Sequence, residues 1–301
     1  MFALLFEEYG GPEVLHIGEV AEPHAGPGQV RIRVHAASVN YWDVKVRSGM
    51  VKDFAPVQFP SIPGVDASGV VDEVGPGVVG VSVGEEVFGL GAATTAEFAV
   101  LDGWVAKPPT LSWPEAAASA LSSETAGRAL EDLVVGPETV LLVEGASGGV
   151  GSAAVQLARA LGATVVGTSS ERNADYVRRL GAHATTYGPG IADRVAALGV
   201  GPVTAVLDTA GSGSLAELVS LLDDPAQVVS VADFGAPALR ARVVRDHPRA
   251  LTALETVGRL HAEGRYHVEI ERVVPIEEGA EGHRLSESRR VRGKVVIAVR
   301  A

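Results

Sequence analysis

Cysteine is absent from this 301-residue chain, which excludes disulfides, thiolate nucleophiles and cysteine-ligated zinc. With no covalent staple the fold must hold by packing alone, and 47% hydrophobic residues over this length can bury a large core, more often in two domains than one. Positive charge is in the minority: 25 Lys and Arg against 37 Asp and Glu leave a net charge of −12. That balance argues against a nucleic-acid or anionic-membrane surface. No apolar run approaches membrane-spanning length, and the strand-like Met1 to Phe6 has no basic segment leading into an apolar one. A cytoplasmic protein that engages neither nucleic acid nor membrane is expected. The eight histidines are scattered, and a pair such as His267 and Glu269 reads as exposed side chains rather than metal ligands.

What the chain does have is a glycine cluster in an informative setting. The stretch Val140-Leu-Leu-Val-Glu-Gly-Ala-Ser-Gly-Gly-Val-Gly151 runs from an apolar strand into an amphipathic helix expected over Ser152 to Leu161, followed by a second strand, Thr164 to Thr168. This is the layout of a dinucleotide-binding turn. Gly148 and Gly149 let the backbone turn and approach a pyrophosphate, Gly151 lets the helix pack against the strand, and the helix N-terminus favours an anion. Ser147, Gly148, Gly149, Val150 and Gly151 are therefore candidate cofactor ligands. The competing reading is a tight strand-to-helix turn with no ligand.

The first hundred residues are rich in Val, Gly and Pro, with apolar runs at Val30 to Ala36, Ala67 to Val74 and Thr95 to Val100 between turn clusters, which predicts a β-rich domain. Character changes at Pro108-Pro109 and Trp113-Pro114, after which Glu115 to Leu133 is alanine-rich with helical periodicity. Strand-like runs then follow at Val140 to Val143, Thr164 to Thr168, Ala184 to Tyr187, Val203 to Asp208 and Gln227 to Ala232. Helix-like segments alternate with them at Ser152 to Leu161, Arg172 to Leu180, Ile191 to Leu198 and Ser214 to Leu222. Such alternation predicts a parallel sheet with helices on both faces and a ligand crevice at the carboxyl ends of its strands. After a helix expected over His247 to Glu263, strand-like Val268 to Pro275 and Lys294 to Val299 are expected to rejoin the first domain.

Several further motifs occur in order: Ser38-Val-Asn-Tyr-Trp-Asp43, Arg47-Ser-Gly49, Pro60-Ser-Ile-Pro-Gly-Val-Asp-Ala-Ser-Gly-Val-Val71, Val74-Gly-Pro-Gly-Val78, Val83-Gly-Glu-Glu-Val-Phe-Gly89, Thr125-Ala126 and Arg292-Gly-Lys-Val-Val296. With them the chain resembles, nearly end to end, the zinc-independent quinone oxidoreductase group of the medium-chain dehydrogenase/reductases, the group that includes ζ-crystallin. The resemblance implies an α/β fold: a Rossmann doubly wound parallel sheet over residues 115–263, and a β-rich GroES-like barrel, the catalytic domain, over 1–114 completed by 264–301. Zinc-dependent relatives carry a cysteine where this chain has Asn40, a His-Glu pair where it has Val65-Asp66, and a further cysteine where it has Ser122-Ser123-Glu124. Asn40 and Ser123 are poor zinc ligands and Asp66 alone cannot hold the metal, so no metal site is expected.

An NAD-preferring turn ends its second strand on an acidic residue, whereas this chain has Thr168-Ser169-Ser170-Glu171-Arg172. Ser169, Ser170 and Arg172 suit a 2′-phosphate and so favour NADPH. Capping of the next helix by the serines is the alternative, and Glu171 opposes the preference. By the resemblance, Tyr187 touches the same phosphate, and Thr125, Val231 and Arg289 line the cofactor. The implied reaction is metal-free hydride transfer to a small-molecule quinone or other α,β-unsaturated carbonyl. Backbone N–H groups, the Asn40 amide, the Tyr41 hydroxyl and the 2′-hydroxyl of the cofactor ribose are the candidate donors to the substrate oxygen, Asn40 foremost, and by the resemblance Asp43 helps hold the loop, leaving the final proton to water. Met50, Phe54 and Phe59 stand where relatives often carry a substrate-facing tyrosine. By the resemblance, Leu239 to Val244, with Arg240, Arg242 and Arg245, matches the edge strand that pairs two Rossmann sheets into a homodimer, although an edge blunted by arginine serves a monomer equally well. A cofactor-binding structural or regulatory protein with little turnover is the alternative to an enzyme.

Overall fold

A computed structural model describes residues 1–244 and 250–300. Two compact units divide the chain, one of Met1–Leu121 with Val268–Ala301 and the other of Ser122–His267. The division falls inside the alanine-rich helix rather than ahead of it, because Ala117 and Ala118 pack with Ala36 and Val296 of the first unit. It falls later than expected at the far end too. Tyr266 still meets the Ser123 hydroxyl and the His267 amide still donates to Gln156.

In the first unit β1 (Phe2–Leu5) pairs antiparallel with β2 (His16–Glu19). β3 (Val30–Val39) leads into a short helix, α1 (Tyr41–Arg47), and then β4 (Asp66–Val74), β5 (Glu86–Ala92) and β6 (Phe98–Ala106) follow. The strands β3 to β6 pair antiparallel in order, and β6 returns to β3, closing them on themselves. Alternation explains the closure: Val30, Ile32 and Val34 are fully buried and pack with Val71, Val87 and Leu101, while the intervening Arg31 and Arg33 face outward. The helix α1 is absent from the sequence-based reading, which placed Asn40 and Asp43 in a loop. Asn40 is instead the N-cap, and the Asp43 carboxylate accepts its amide N–H at 2.8 Å, one arm of a capping box.

The second unit takes up α2 (Trp113–Asp132), begun in the first, and continues through β7 (Val140–Glu144), α3 (Gly149–Ala160), β8 (Thr164–Ser169), α4 (Ala174–Arg179) and β9 (His183–Thr186). After these come α5 (Ile191–Ala196), β10 (Ala205–Asp208), α6 (Leu215–Val219), β11 (Val228–Ser230), β12 (Arg242–Val243) and α7 (Leu251–Ala262). The six strands form one parallel sheet in the order β12-β11-β10-β7-β8-β9. Strand order reverses between β7 and β10, so the doubly wound expectation holds and the ligand crevice of such sheets lies there, at the carboxyl ends. Leu142, Val166, Val206 and Val228 pack from the sheet onto Ile191, Val195, Leu215 and Leu218 of α5 and α6.

The edge of this sheet departs from the sequence reading. Ala236–Leu239 is a 3₁₀ turn, Arg240 is left-handed at φ 60°, and only Arg242 and Val243 pair with β11. The Arg242 guanidinium folds back, donating to the carbonyls of Ala226 at 2.7 Å and Asp132 at 2.9 Å. Arg245 and the expected helix start at His247 lie outside the described residues. The chain then returns to the first unit through β13 (Ile270–Pro275), α8 (Gly279–Glu287) and β14 (Lys294–Ala298), with β14 antiparallel to β3 and parallel to β13. No helix among the described residues is long and apolar enough to cross a membrane.

Candidate functional site

The glycines after β7 have separable duties. Gly145 sits at φ 80°, a conformation a side chain resists. A Cβ on Gly151 would meet the Gly145 carbonyl oxygen at 2.2 Å, so this glycine sets the close approach of α3 to the turn. Gly148 is different. Its φ is −84° and a Cβ there would meet only the Gly145 oxygen, at 3.5 Å, so nothing in the chain itself requires a glycine. The i→i−4 ladder of α3 begins with Ser152 donating to Gly148 at 2.9 Å, which leaves the N–H groups of Gly149, Val150 and Gly151 at the open end of a 12-residue helix. Bare backbone and converging N–H groups are what a pyrophosphate needs.

Polar groups gather at the carboxyl ends of the neighbouring strands. Glu144, buried at the end of β7, accepts the hydroxyls of Thr168 (2.6 Å), Ser214 (3.1 Å) and Ser212 (3.2 Å), tying β8 and the loop after β10 to the turn. Asp208 accepts the amides of Ala210 and Gly211 at 2.9 Å and the Ser230 hydroxyl at 2.7 Å. The amide of Val231 donates to the Asp208 carbonyl. After β8, the buried Ser169 hydroxyl donates to the Ser170 carbonyl at 3.0 Å, and Ser170 makes no side-chain capping bond. Arg172 is exposed and Tyr187 is 55% exposed. Arg194 holds the Tyr187 loop by donating to the carbonyls of Thr186, Gly188 and Pro189. Thr125 lies half-buried on α2.

In the first unit, the N-terminus of α1 carries a buried charged set. Asp66, fully buried on β4, accepts the Ser38 hydroxyl at 2.7 and 2.8 Å, the Asn40 Nδ2 at 3.0 Å and the Leu121 amide at 3.2 Å. The Lys294 ammonium donates to the Val39 carbonyl at 3.2 Å and to the Asn40 Oδ1. Burial pushes the carboxyl of Asp43 up to about 7, with a contribution from Asp66, against the lowering bond from Asn40. Burial also raises Asp66, opposed by the Lys294 charge, and lowers Lys294, opposed by both aspartates. Tyr41 stands beside this set, half-buried, with the Arg289 guanidinium 5.1 Å and the Lys45 ammonium 5.6 Å from its ring centroid. Nearby side chains are apolar: Phe54, 63% exposed, lies 6.4 Å from the Trp42 ring, and Met50 is 62% exposed. Phe59 instead packs on Tyr9 and Phe6.

Two known families match the chain: the alcohol dehydrogenase GroES-like domain over residues 26–106 and the zinc-binding dehydrogenase over residues 149–256. Over its whole length the chain is 30% identical to the quinone oxidoreductase of Coxiella burnetii, covering 99% of that chain with a TM-score of 0.85. The chain belongs to the zinc-independent quinone oxidoreductase group of the medium-chain dehydrogenase/reductases. The chain is also 25% identical to the quinone oxidoreductase of Escherichia coli, solved in complex with NADPH, covering 99% of this chain and all of that one with a TM-score of 0.86. It is 37% identical over 195 residues to the chloroplast envelope quinone oxidoreductase homolog of Arabidopsis thaliana, a match spanning 60% of this chain and 59% of that protein's length.

Although its second matching family is named for zinc binding, the chain gathers no group of three or more His, Cys, Asp or Glu that could hold a metal ion among the described residues. Asn40, Tyr41 and Asp43 come together at the start of α1, with Arg289 over Tyr41 in the same unit. Ser147 to Gly151, Ser169, Ser170, Arg172, Tyr187, Val231 and Thr125 belong to the other unit. The sequence reading missed Lys294, Glu144, Arg194 and Asn173, whose side-chain amide reaches the Ser147 hydroxyl, and gave Asp66 no part beyond that of a failed metal ligand. A signal was there for two of them: Glu144 ends and Lys294 begins an otherwise apolar strand, and a buried charge in such a place has to be paired.

Proposed function

We propose that this oxidoreductase uses NADPH to reduce quinones or other α,β-unsaturated carbonyls without a metal. The observation that carries the reading is Gly148, a glycine with no steric reason inside the chain, placed where α3 opens its N–H groups. When bound, NADPH supplies the hydride. Gly149, Val150 and Gly151 would hold the pyrophosphate through their N–H groups, close to Ser147. Ser169, Ser170, Arg172 and Tyr187 would take the 2′-phosphate, and Thr125, Val231 and Arg289 the rest of the cofactor. The NADPH complex of the Escherichia coli relative supports this choice.

On the substrate side, Asn40 and Tyr41 would donate to the carbonyl oxygen as negative charge builds there, and Asp43 would fix the helix start that presents them. Exposed Phe54 beside Trp42, and the exposed Met50 of the same segment, suit an apolar, planar acceptor. The final proton would come from water. The donor set supports metal-free chemistry as well, since an ammonium already occupies the Asn40 oxygen. A homodimer joined along the β12 edge belongs to the same proposal, and light scattering reads it.

The test is NADPH and NADH oxidation with a panel of quinones and enals, beside cofactor titration. Oxidation preferring NADPH is expected. Tight cofactor binding without oxidation of any acceptor would turn the reading toward a binding protein, and no binding of either nicotinamide would end it.

A further inference from the structure

Lys294 has no part in the reaction just described, yet it is 7% exposed and its ammonium reaches the amide expected to face the substrate. A lysine is rarely buried unless it is paired. Its charge meets Asp66 and Asp43, and its hydrogen bonds go to the Val39 carbonyl and the Asn40 Oδ1. Asp66 meets the other end of the same amide, accepting from Nδ2 at 3.0 Å. Cation on the oxygen and anion on the nitrogen agree on one orientation of a group whose two ends are nearly alike in shape. Besides the Asp43 carboxylate, which also feels the Asn40 side chain, the remaining Nδ2 hydrogen finds Ser38, whose hydroxyl is 3.3 Å away and whose carbonyl is 3.5 Å away. Those lengths are at the weak limit of a hydrogen bond, so this hydrogen is the exchangeable one.

We propose that Lys294 is a positioning residue for Asn40, locking the amide so that one Nδ2 hydrogen stays deliverable to a reacting carbonyl. The claim rests on the reductase reading above. The mechanism has two parts. The ammonium on Oδ1 draws charge from the amide and strengthens Nδ2–H as a donor. It also opposes the upward push of burial on Asp66 and so favours the carboxylate form, which accepts from Asn40. Without Lys294, a protonated Asp66 would donate, and the amide would turn its oxygen toward it.

The decisive variant is Lys294→Met, compared with Asn40→Ala and the double variant. With a quinone acceptor, kcat is expected to fall by about tenfold to a hundredfold in Lys294→Met, as loss of one charge-assisted bond predicts, with the NADPH dissociation constant unchanged. The double variant should lose no more than Asn40→Ala alone. Unchanged kcat in Lys294→Met, or losses that multiply in the double variant, would overturn the proposal. Should Lys294→Met fail to fold, Asp66→Asn with Lys294→Met removes the Asp66 carboxylate together with the cation and leaves Asp43 on the Asn40 backbone amide, and the same fall in kcat is expected; wild-type kcat would overturn it.

An independent readout needs no turnover. The Asn40 side-chain NH2 pair in a ¹H–¹⁵N spectrum, assigned by its loss in Asn40→Ala, should move upfield in Lys294→Met. An unmoved pair sinks the positioning role even if the enzyme is active. A wild type that oxidises no NADPH sinks the reductase reading, while the spectrum still decides the orientation.

Discussion

The side-chain amide of Asn173 donates to the Ser147 hydroxyl across 3.2 Å. One hydrogen bond thereby joins the loop after β8 to the glycine turn after β7, the two places that would hold the ends of the cofactor's phosphates. Asn173 is buried at the foot of α4 and so is itself held in place. Asn173→Ala should weaken NADPH binding by about two- to tenfold, the equivalent of about 0.5–1.5 kcal/mol for one neutral hydrogen bond. Thermal stability should change little. Fluorescence titration of the cofactor checks this, and an unchanged dissociation constant would show that the two loops are held apart from this bond.

Gly148 and Gly151 should respond oppositely to the same methyl group. In Gly151→Ala the Cβ would sit 2.2 Å from a backbone oxygen, so α3 or the turn must move. Overpacking of this kind costs about 1–3 kcal/mol or more, which denaturant unfolding would register as a fall in the midpoint. Gly148→Ala meets ordinary contact at 3.5 Å with ordinary φ, and the fold should keep its stability. What it should lose is the nucleotide, because the methyl occupies the ground a pyrophosphate would approach. Retained NADPH affinity in Gly148→Ala would remove the main support for the cofactor site.

Cofactor preference is expected to reside in Arg172. Arg172→Ala should raise the KM for NADPH by about tenfold or more, since a charge-assisted bond is worth about 1.5–3 kcal/mol, and leave the KM for NADH unchanged. Steady-state kinetics with both nucleotides decides it. An equal rise for both would mean that Arg172 supports the loop, and no rise for either would mean that it faces water.

The sheet was legible from sequence because its strands are short, apolar and separated by helices of clear periodicity, and because Gly145 to Gly151 marks the first crossover. Errors fell where tertiary contact decides. Leu239 to Val244 has strand composition, yet Arg240 turns left-handed and Arg242 is drawn back to the carbonyls of Ala226 and Asp132, so only two residues pair. The helix at Tyr41 was hidden because its stabilising pair, Asn40 and Asp43, also reads as turn chemistry. Lys294 lies hundreds of positions along the chain from Asn40. Only the antiparallel pairing of β14 with β3, which sets Val295 against Val39, brings the two side by side.

The pH dependence of stability should carry two opposed contributions. His283 on α8 is 1% exposed and is pushed down to about 3, first by burial and then by the charge of Arg47. Arg47 is fully buried, donating to the Gly10 carbonyl at 3.2 Å and to Glu287 at 3.0 Å. A histidine kept neutral in the folded state but free to protonate in the unfolded chain supports folding above pH 6.5, and that support is lost as pH falls toward 3. Asp43, raised to about 7, acts the other way: the folded state holds its proton more tightly, so its support is complete below the ordinary aspartate value and fades as pH rises toward 7. Between these limits the two slopes offset each other in the native protein. His283→Gln removes one of them. The difference in unfolding free energy between wild type and variant should therefore rise with pH by about 1.4 kcal/mol per unit between pH 3 and 6.5 and level off above. Asp66 and Lys294, shared by both proteins, cancel from that difference. Urea unfolding at pH steps across the range measures it, and a difference independent of pH would show that His283 titrates alike in the folded and unfolded states.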